Sequence, residues 1–131
     1  MLRCMLFGMA ILALAPGALA DERDVIKVYF SWGSAEVTEA GLETIEVAAP
    51  MVKECERNGV RVLGHADTSE ESPAELATAR ARAVRDALVA HGLADSAIGV
   101  AGKSDVEPEY PTEDNVREPM NRRAEIVLVC G

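Results

Sequence analysis

Hydrophobic and polar residues alternate in some segments of the chain and recur every three or four positions in others. Alternation is typical of strands with one buried face. It predicts four strands: residues 24–32 (DVIKVYFSW), 60–67 (VRVLGHAD), 97–101 (AIGVA) and 122–130 (RRAEIVLVC). A spacing of three or four is typical of amphipathic helices. It predicts two helices, over residues 39–57 and 73–91.

Polar residues, proline and glycine mark the ends of these helices. Thr38 is a predicted N-cap of the first helix, and Asn58-Gly59 closes it. Ser72-Pro73-Ala74-Glu75 has the form of a capping box with proline at the first helical position, and Gly92 ends the second helix. Pro50 lies inside the first helix, where it removes a hydrogen bond, so we expect a kink or a division there.

The order of elements is strand, helix, strand, helix, strand, loop, strand. Two successive strand–helix–strand units place the first three strands in the same direction, and the last strand can pair antiparallel with them. We therefore expect one α/β domain over residues 21–131, with its core at about 26–130. Its predicted form is a two-layer βαβαβ-β sandwich with both helices packed on one face of a mixed four-stranded sheet.

The first 20 residues differ in character from the rest. Arg3 is the only charged residue before Asp21, an apolar run follows it, and small residues occupy positions 18–20. This is the pattern of a secretory signal peptide cleaved after Ala20, and the apolar run is too short for a membrane-spanning helix. We expect residues 1–20 to be a signal peptide and the mature chain to be exported, without a transmembrane segment.

The charge balance limits the kinds of partner. The chain has 22 acidic and 13 basic residues, a formal net charge of −9. A surface this acidic argues against binding to nucleic acid or to an anionic membrane through general electrostatic attraction. One local cationic pocket is still compatible with it.

Two of the three cysteines, Cys55 and Cys130, lie in the predicted domain. Each shares a face with apolar residues of its element: Leu42, Ile45, Ala49 and Val52 for Cys55, and Ala124, Ile126 and Leu128 for Cys130. Both thiols are therefore expected between the helices and the sheet, near the same edge. Disulfides persist in oxidising compartments, so we predict a Cys55–Cys130 bond; two buried free cysteines are the alternative.

Arg80 interrupts the apolar stripe of the second helix, four residues after Leu76 and four before Val84. A buried guanidinium requires a hydrogen-bonded partner. Asp67 is the nearest candidate, because it ends the second strand, and strand ends are where open α/β layers bind ligands. The pair is either a structural salt bridge or a site for a zwitterion, with an ammonium on Asp67 and a carboxylate on Arg80.

No other group of residues indicates catalysis or cofactor binding. His65 and His91 are the only histidines, and no residues have the spacing of a metal site, a nucleophile–base pair or a phosphate-binding loop. Glu70 and Glu71 are expected to be solvated loop charges. We therefore expect a protein that is not an enzyme and needs neither a metal nor a cofactor.

Four segments taken together resemble the OmpA-like peptidoglycan-binding domain. They are VYFSWGSAEVT from Val28, VLGHADTSEES from Val62, LATARARAVRDALVAHG from Leu76 and NVREPMNRRAEIVLV from Asn115, in that order. The likeness extends to about Val129 and so covers nearly all of the predicted domain. It implies the same α/β fold in a non-enzymatic protein of the periplasm, associated with the outer membrane.

The resemblance also implies a ligand and the residues that bind it. The family binds the diaminopimelate residue of peptidoglycan stem peptides, whose D-centre keeps a free ammonium and a free carboxylate. Asp67 matches the key aspartate of the family, Arg80 its key arginine and Arg122 a further arginine of the site. Asn121, beside Arg122, and Thr68, after Asp67, complete the implied site.

Around this site the sequence departs from the family. The segment between Asp67 and Arg80 is shorter than usual, Pro73 replaces a common asparagine, and Ala77 replaces a common serine. Two functions therefore stay open from the sequence. One is binding to peptidoglycan through diaminopimelate; the other is a degenerate domain that serves as an interaction module for other envelope proteins.

Overall fold

The strands and helices follow the predicted order in a computed structural model, which describes residues 24–130. The strands are β1 (Asp24–Tyr29), β2 (Val60–Gly64), β3 (Ile98–Gly102) and β4 (Arg123–Leu128). The helices are α1 (Glu39–Cys55) and α2 (Pro73–Ala90), and short 3₁₀ turns occupy Glu56–Asn58, Asp95–Ala97 and Pro119–Asn121. The predicted signal peptide, residues 1–20, lies outside the described residues.

The four strands form one mixed sheet in the order β1-β4-β2-β3. β2 and β3 are parallel, whereas β4 is antiparallel to both β1 and β2, so the first three strands run in the same direction as predicted. Ile126 of β4 lies opposite Ile26 of β1 and opposite Val62 of β2. The two-layer α/β architecture with a mixed four-stranded sheet is confirmed.

The core lies between the two helices and one face of the sheet. Its largest fully buried apolar side chains are aliphatic: Val28, Ile45, Val52, Val60, Val62, Val84, Leu88, Ile126 and Leu128. Burial of this apolar surface is the main favourable contribution to folding. In the described part of the chain, no helix combines the length and apolar character that a membrane crossing requires.

Two glycines let α2 approach the sheet closely. A Cβ atom on Gly64 would overlap the backbone of Ala77, and one on Gly102 would overlap Thr78. Both contacts involve the first half of α2. They bring this half of the helix, which carries Arg80, against the C-terminal ends of β2 and β3.

The predicted Cys55–Cys130 disulfide is confirmed and joins the end of α1 to the segment after β4. The expectation that both cysteines lie between the helices and the sheet is wrong for Cys130, which is exposed because it follows the end of β4. Ile45, Val52 and Cys55 are buried as expected. Leu42 is not, since 48% of it is exposed. The buried face of α1 begins at Gly41 rather than at Leu42, because Gly41 packs closely against Val28.

Pro50 does not divide α1, contrary to one of the two outcomes predicted for it. The helix continues from Glu39 through Pro50 to Cys55. The proline removes one backbone donor, but Val52 and Cys55 beyond it are buried in the core. Their packing holds the last turn in a helical conformation despite the missing bond.

The predicted capping box at the start of α2 is wrong. Ser72 has a left-handed backbone (φ 48°, ψ 55°), and its side chain makes no capping hydrogen bond. Thr38, at the start of α1, has the extended backbone of an N-cap residue (φ −70°, ψ 166°), and its side chain accepts a bond from Gly41 N. The different backbone conformation explains why only Thr38 caps its helix.

Candidate functional site

The residues predicted for the site surround the segment that leaves β2 at Gly64 and enters α2. This segment contains Asp67 and Thr68, α2 supplies Arg80, and the chain entering β4 supplies Asn121 and Arg122. Arg122 Nη1 lies 3.1 Å from Asp67 Oδ2, and Arg80 Nη1 donates to the carbonyl of His65, two residues before Asp67. Distant parts of the sequence therefore meet at one end of the sheet.

Asp67 is fully buried and accepts four hydrogen bonds. Its Oδ1 accepts from Ser69 N at 2.9 Å and from Ser69 Oγ at 2.6 Å. Its Oδ2 accepts from Glu118 N and from Arg122 Nη1, each at 3.1 Å. Burial acts to raise the pKa of Asp67, but these bonds outweigh it and the pKa lies below its ordinary value. The side chain is therefore a carboxylate.

Arg80 is also fully buried, and all five of its N–H groups have acceptors. Nη1 donates to Glu70 Oε1 at 2.7 Å, and Nη2 donates to Glu70 Oε2. The remaining acceptors are backbone carbonyls: Ser34 O for Nε at 3.0 Å, His65 O for Nη1 at 3.0 Å and Ser31 O for Nη2 at 3.1 Å. A fork-to-fork pair of this kind is the strongest geometry that arginine makes with a carboxylate.

Two predictions about acidic residues are thus wrong. The partner of Arg80 is Glu70 rather than Asp67, and Glu70 is buried instead of solvated. The side chain of Asp67 turns back to Ser69 and across to Arg122, and it makes no ion pair with Arg80. Glu70, three residues later and one methylene longer, extends under α2 to reach the guanidinium. Glu71, the other acidic residue, is exposed as predicted.

The carboxylate of Glu70 accepts bonds from three groups, which we call the carboxylate-binding cluster: the Arg80 guanidinium and the backbone N–H groups of Gly33 and Asp67. Oε1 accepts from Arg80 and from Asp67 N at 2.9 Å, and Oε2 accepts from Arg80 and from Gly33 N at 2.8 Å. Four donors therefore converge on one carboxylate, and the side chain of Glu70 has no exposed surface.

Thr68 and Asn121 hold loops together. Thr68 Oγ1 donates to Glu113 O at 2.8 Å and lies 3.0 Å from Val116 N. Asn121 is fully buried, and its side-chain amide bonds both backbone groups of Tyr110, at 2.8 and 2.7 Å. These contacts fix the long segment between β3 and β4 beside Asp67, so both residues shape the site through the backbone.

A stacked pair borders the site at the surface. Trp32 is 41% exposed, and the Arg117 guanidinium carbon lies 4.1 Å from the centroid of one of its rings. Trp32 Nε1 donates to Ser69 Oγ at 2.9 Å, which connects the indole to the residue that bonds Asp67. Cation–π contacts of this kind add modest stability at exposed sites. A shallow groove of about 470 Å³ begins beside Trp32 and runs along the start of α2.

Sequence reasoning missed Glu70, Ser69 and Gly33. Glu70 was visible as an acidic residue near Arg80, but the segment between β2 and α2 holds three acidic residues, Asp67, Glu70 and Glu71, and only the backbone path of this segment selects among them. Gly33 contributes its backbone N–H, for which the side-chain pattern gives no signal. Among residues 24–130, no cluster of His, Cys, Asp and Glu side chains is suited to a metal ion.

Comparisons with known proteins agree with the fold and include the site. A model of the OmpA family matches residues 29–122, the range that holds all five predicted site residues. An outer membrane protein of Gluconacetobacter diazotrophicus is 31% identical over 109 residues, covering 77% of this chain and 29% of that protein. The probable lipoprotein YiaD of Escherichia coli is 30% identical over 103 residues, covering 77% of this chain and 47% of that protein. The chain thus spans less than half the length of both curated relatives.

Solved structures show the same architecture. The peptidoglycan-associated lipoprotein of Burkholderia pseudomallei is 26% identical, with a TM-score of 0.68 over 77% of this chain and 87% of that one. The periplasmic domain of MotB from Helicobacter pylori is 20% identical, with a TM-score of 0.70 over 84% of this chain and 78% of that one, and supports the fold alone. The chain belongs to the OmpA family, whose members are generally associated with peptidoglycan in the cell envelope.

Proposed function

We propose that this domain binds peptidoglycan in the periplasm without covalent chemistry, through the diaminopimelate residue of a stem peptide. The observation that carries the proposal is the carboxylate-binding cluster beside Asp67. Arg80 and two backbone N–H groups already hold a carboxylate at four points, and the ionised Asp67 lies next to it. A cation-binding and an anion-binding group side by side match a zwitterionic amino-acid centre.

In this proposal the two charged groups have separate roles. Asp67 accepts the ammonium of diaminopimelate, and Arg80 binds its carboxylate in the position that the Glu70 carboxylate occupies. Arg122 orients Asp67 through its 3.1 Å contact, while Thr68 and Asn121 hold the surrounding segments. The domain binds the polymer and does not cleave it, so no nucleophile, metal or cofactor takes part.

Membership of the OmpA family supports this proposal, because the family is generally associated with peptidoglycan. One of the similar solved structures carries that association in its name, the peptidoglycan-associated lipoprotein of Burkholderia pseudomallei. It is also the structure reported above with the higher sequence identity, 26%. The ligand specificity for this chain rests on the site itself.

One specific observation favours a second function, an interaction module for other envelope proteins. Arg80 has no exposed surface, and all five of its N–H groups are used within the domain. If the Glu70–Arg80 pair never opens, the site cannot accept a ligand carboxylate. The fold would then be retained for contacts on other surfaces.

A sedimentation assay on insoluble peptidoglycan tests the first function against the second. We expect the purified protein to be retained and to be released by free meso-diaminopimelate. Asp67→Ala should weaken retention by roughly tenfold or more, because a charged hydrogen bond contributes about 1.5–3 kcal/mol. Asp86→Ala is the matched control, because its carboxylate is exposed on α2.

Thermal unfolding of each variant separates loss of binding from loss of folding. The proposal is wrong if the folded wild-type protein is not retained, and that result would favour the interaction module. It is also wrong if folded Asp67→Ala is retained as well as the wild type. Retention that meso-diaminopimelate does not reverse would show a different ligand within the polymer.

A further inference from the structure

We infer that Glu70 is an internal ligand of the carboxylate-binding cluster, which competes with the carboxylate of a bound ligand for Arg80. The identity of the external ligand, diaminopimelate, rests on the proposed function. The internal occupation of the cluster rests on geometry alone, because two N–H groups of Arg80 and the backbone N–H groups of Gly33 and Asp67 donate to the Glu70 carboxylate.

The cluster has room for one carboxylate at a time. Both Nη atoms of Arg80 bond Glu70, and their remaining hydrogens bond the carbonyls of His65 and Ser31. No N–H group of the guanidinium is left for a second anion. A ligand carboxylate can bind Arg80 only after Glu70 has left it, so binding and internal pairing exclude each other.

Exchange replaces bonds of the same kind. A free carboxylate can make the four bonds that Glu70 makes now, two to Arg80 and two to backbone N–H groups. The released Glu70 regains its hydration, which offsets much of the cost of leaving a buried ion pair. Leaving the guanidinium unpaired would be costly, so we expect a carboxylate on Arg80 in both the free and the bound state.

The position of Glu70 in the chain allows it to leave. It lies in the short segment between β2 and α2, outside any helix or strand, and its neighbour Glu71 is exposed. Ser72 holds a left-handed conformation (φ 48°) that serine adopts rarely. On this inference, Glu70 moves outwards by a backbone change within residues 65–72, the segment that joins β2 to α2.

The consequence is a site that is closed at rest. An intramolecular carboxylate has a high effective concentration at Arg80, so the cluster is free in only a small fraction of molecules. The apparent affinity for an external ligand equals the intrinsic affinity multiplied by this fraction. The side chain of Glu70 therefore sets the affinity of the site. Removing it should strengthen binding, which is the opposite of what removal of a ligand-binding residue does.

The first experiment measures the cluster without peptidoglycan. Glu70→Ala vacates the cluster, and Glu71→Ala is the matched control, because it removes the same charge from the exposed neighbour. We expect acetate or meso-diaminopimelate to raise the melting temperature of Glu70→Ala by about 3 °C or more relative to chloride at equal ionic strength. The wild type and Glu71→Ala should change little, because Glu70 fills their cluster.

The test also has a result if Glu70→Ala does not fold, and a second variant, Glu70→Gln, repeats it. If Glu70→Ala is unfolded in chloride, recovery of its folded circular dichroism spectrum in acetate supports the inference. Glu70→Gln keeps the size of the side chain and weakens the ion pair, so acetate should stabilise it as well. The inference is overturned if neither Glu70 variant responds to carboxylates more than Glu71→Ala does.

The second experiment repeats the peptidoglycan sedimentation with the same variants. We expect Glu70→Ala, or Glu70→Gln, to bind roughly tenfold more tightly than the wild type, and Glu71→Ala to match the wild type. If carboxylates stabilise the Glu70 variants but no variant sediments with peptidoglycan, Glu70 is an internal ligand and the proposed peptidoglycan function is wrong. If the wild type sediments with peptidoglycan, but the Glu70 variants neither respond to carboxylates nor bind more tightly, the proposed function stands and the internal ligand is wrong.

Discussion

Two carboxylates three positions apart have different partners in the same short segment. Asp67 bonds Ser69, Glu118 and Arg122, which joins the segment after β2 to the one before β4. Glu70 bonds Arg80 and so joins the same segment to α2. The extra methylene of glutamate allows the longer reach. Each carboxylate is fully satisfied, as buried charges must be.

The hydrogen bonds of Asp67 make stability depend on pH. Burial acts to raise its pKa, but the bonds from Ser69, Arg122 and Glu118 outweigh burial and lower the pKa below the ordinary 3.8. Because the folded pKa is the lower one, this stabilisation is complete above the unfolded-state pKa and is lost as the pH falls through the folded value. We expect Asp67→Asn to lower the free energy of unfolding at neutral pH by about 1–3 kcal/mol.

The difference between Asp67→Asn and the wild type should shrink below about pH 4, where Asp67 of the unfolded wild-type chain begins to protonate while the folded protein, with its lower pKa, still holds a carboxylate. Urea unfolding across the acidic range measures it, with Asp86→Asn, whose carboxylate is exposed, as the control. A difference that stays constant from neutral to acidic pH would contradict this assignment.

The sequence placed Arg80 and Asp67 in the same part of the fold but did not pair their charges correctly. Arg80 stands in an apolar stripe, so its burial and its need for a partner could be predicted. The choice among Asp67, Glu70 and Glu71 could not, because it depends on a backbone path in which Ser72 is left-handed. Serine has no preference for that conformation that a local pattern could reveal.

At the scale of elements, the two helices begin in different ways. Thr38 Oγ1 accepts a bond from Gly41 N at 3.0 Å, which satisfies one of the free donors of the first turn of α1. Ser72 precedes α2 without such a bond, and Pro73 follows it at the first helical position, where a missing donor costs nothing. The start of α2 is therefore set by proline and by the ion pair of Arg80.

Alanine at these two positions should have unequal effects. We expect Thr38→Ala to lower the free energy of unfolding by about 1 kcal/mol, because a capping bond is lost. Ser72→Ala should change it by less than about 0.5 kcal/mol, because the hydroxyl of Ser72 caps nothing. Urea unfolding of both variants measures the comparison. Equal losses would show that Ser72 caps α2 in solution.

The periodicity of the sequence predicted every strand and both helices, whereas their ends differ from the predictions. β2 was expected to reach Asp67 but ends at Gly64, because the paired register ends where Gly64 lies opposite Ala124 and Gly102. Strand ends depend on where the partner strands stop, which a local pattern does not contain. Helix α1 likewise continues through Pro50 because tertiary packing outweighs the local signal.

At the scale of the whole molecule, the disulfide joins two segments that lie 75 residues apart in sequence. Cys55 ends α1 and Cys130 follows β4, so the bond closes a loop that contains β2, α2, β3 and β4. Closing a loop of this length lowers the conformational entropy of the unfolded chain, which raises the free energy of unfolding. The same bond was predicted from the faces of the two elements.

Reduction of the disulfide should lower the free energy of unfolding by about 4.5 kcal/mol, the value that chain entropy gives for a loop of this length. Urea unfolding with and without a reductant measures this loss. The double variant Cys55→Ser/Cys130→Ser should show a similar loss and should no longer respond to the reductant. A loss below about 1 kcal/mol would indicate that the reduced chain is already restricted in its unfolded state.

The overall topology was only partly readable from the sequence. Two strand–helix–strand units fixed the directions of the first three strands, and the antiparallel direction of β4 was expected. Its insertion between β1 and β2 was not, because the helical connections determine direction and leave the order of neighbours open.

The central place of β4 has a consequence for synthesis. Within residues 24–130, β1 pairs with β4 alone and is joined to β2 only through it, although β4 is the last of these four strands to leave the ribosome. The nascent chain can pair β2 with β3 early, but β1 has no strand to pair with until translation has passed Leu128, the end of β4. A stop codon between Gly102 and Arg123 therefore yields a polypeptide that retains both helices and three strands but cannot join β1 to the other two strands.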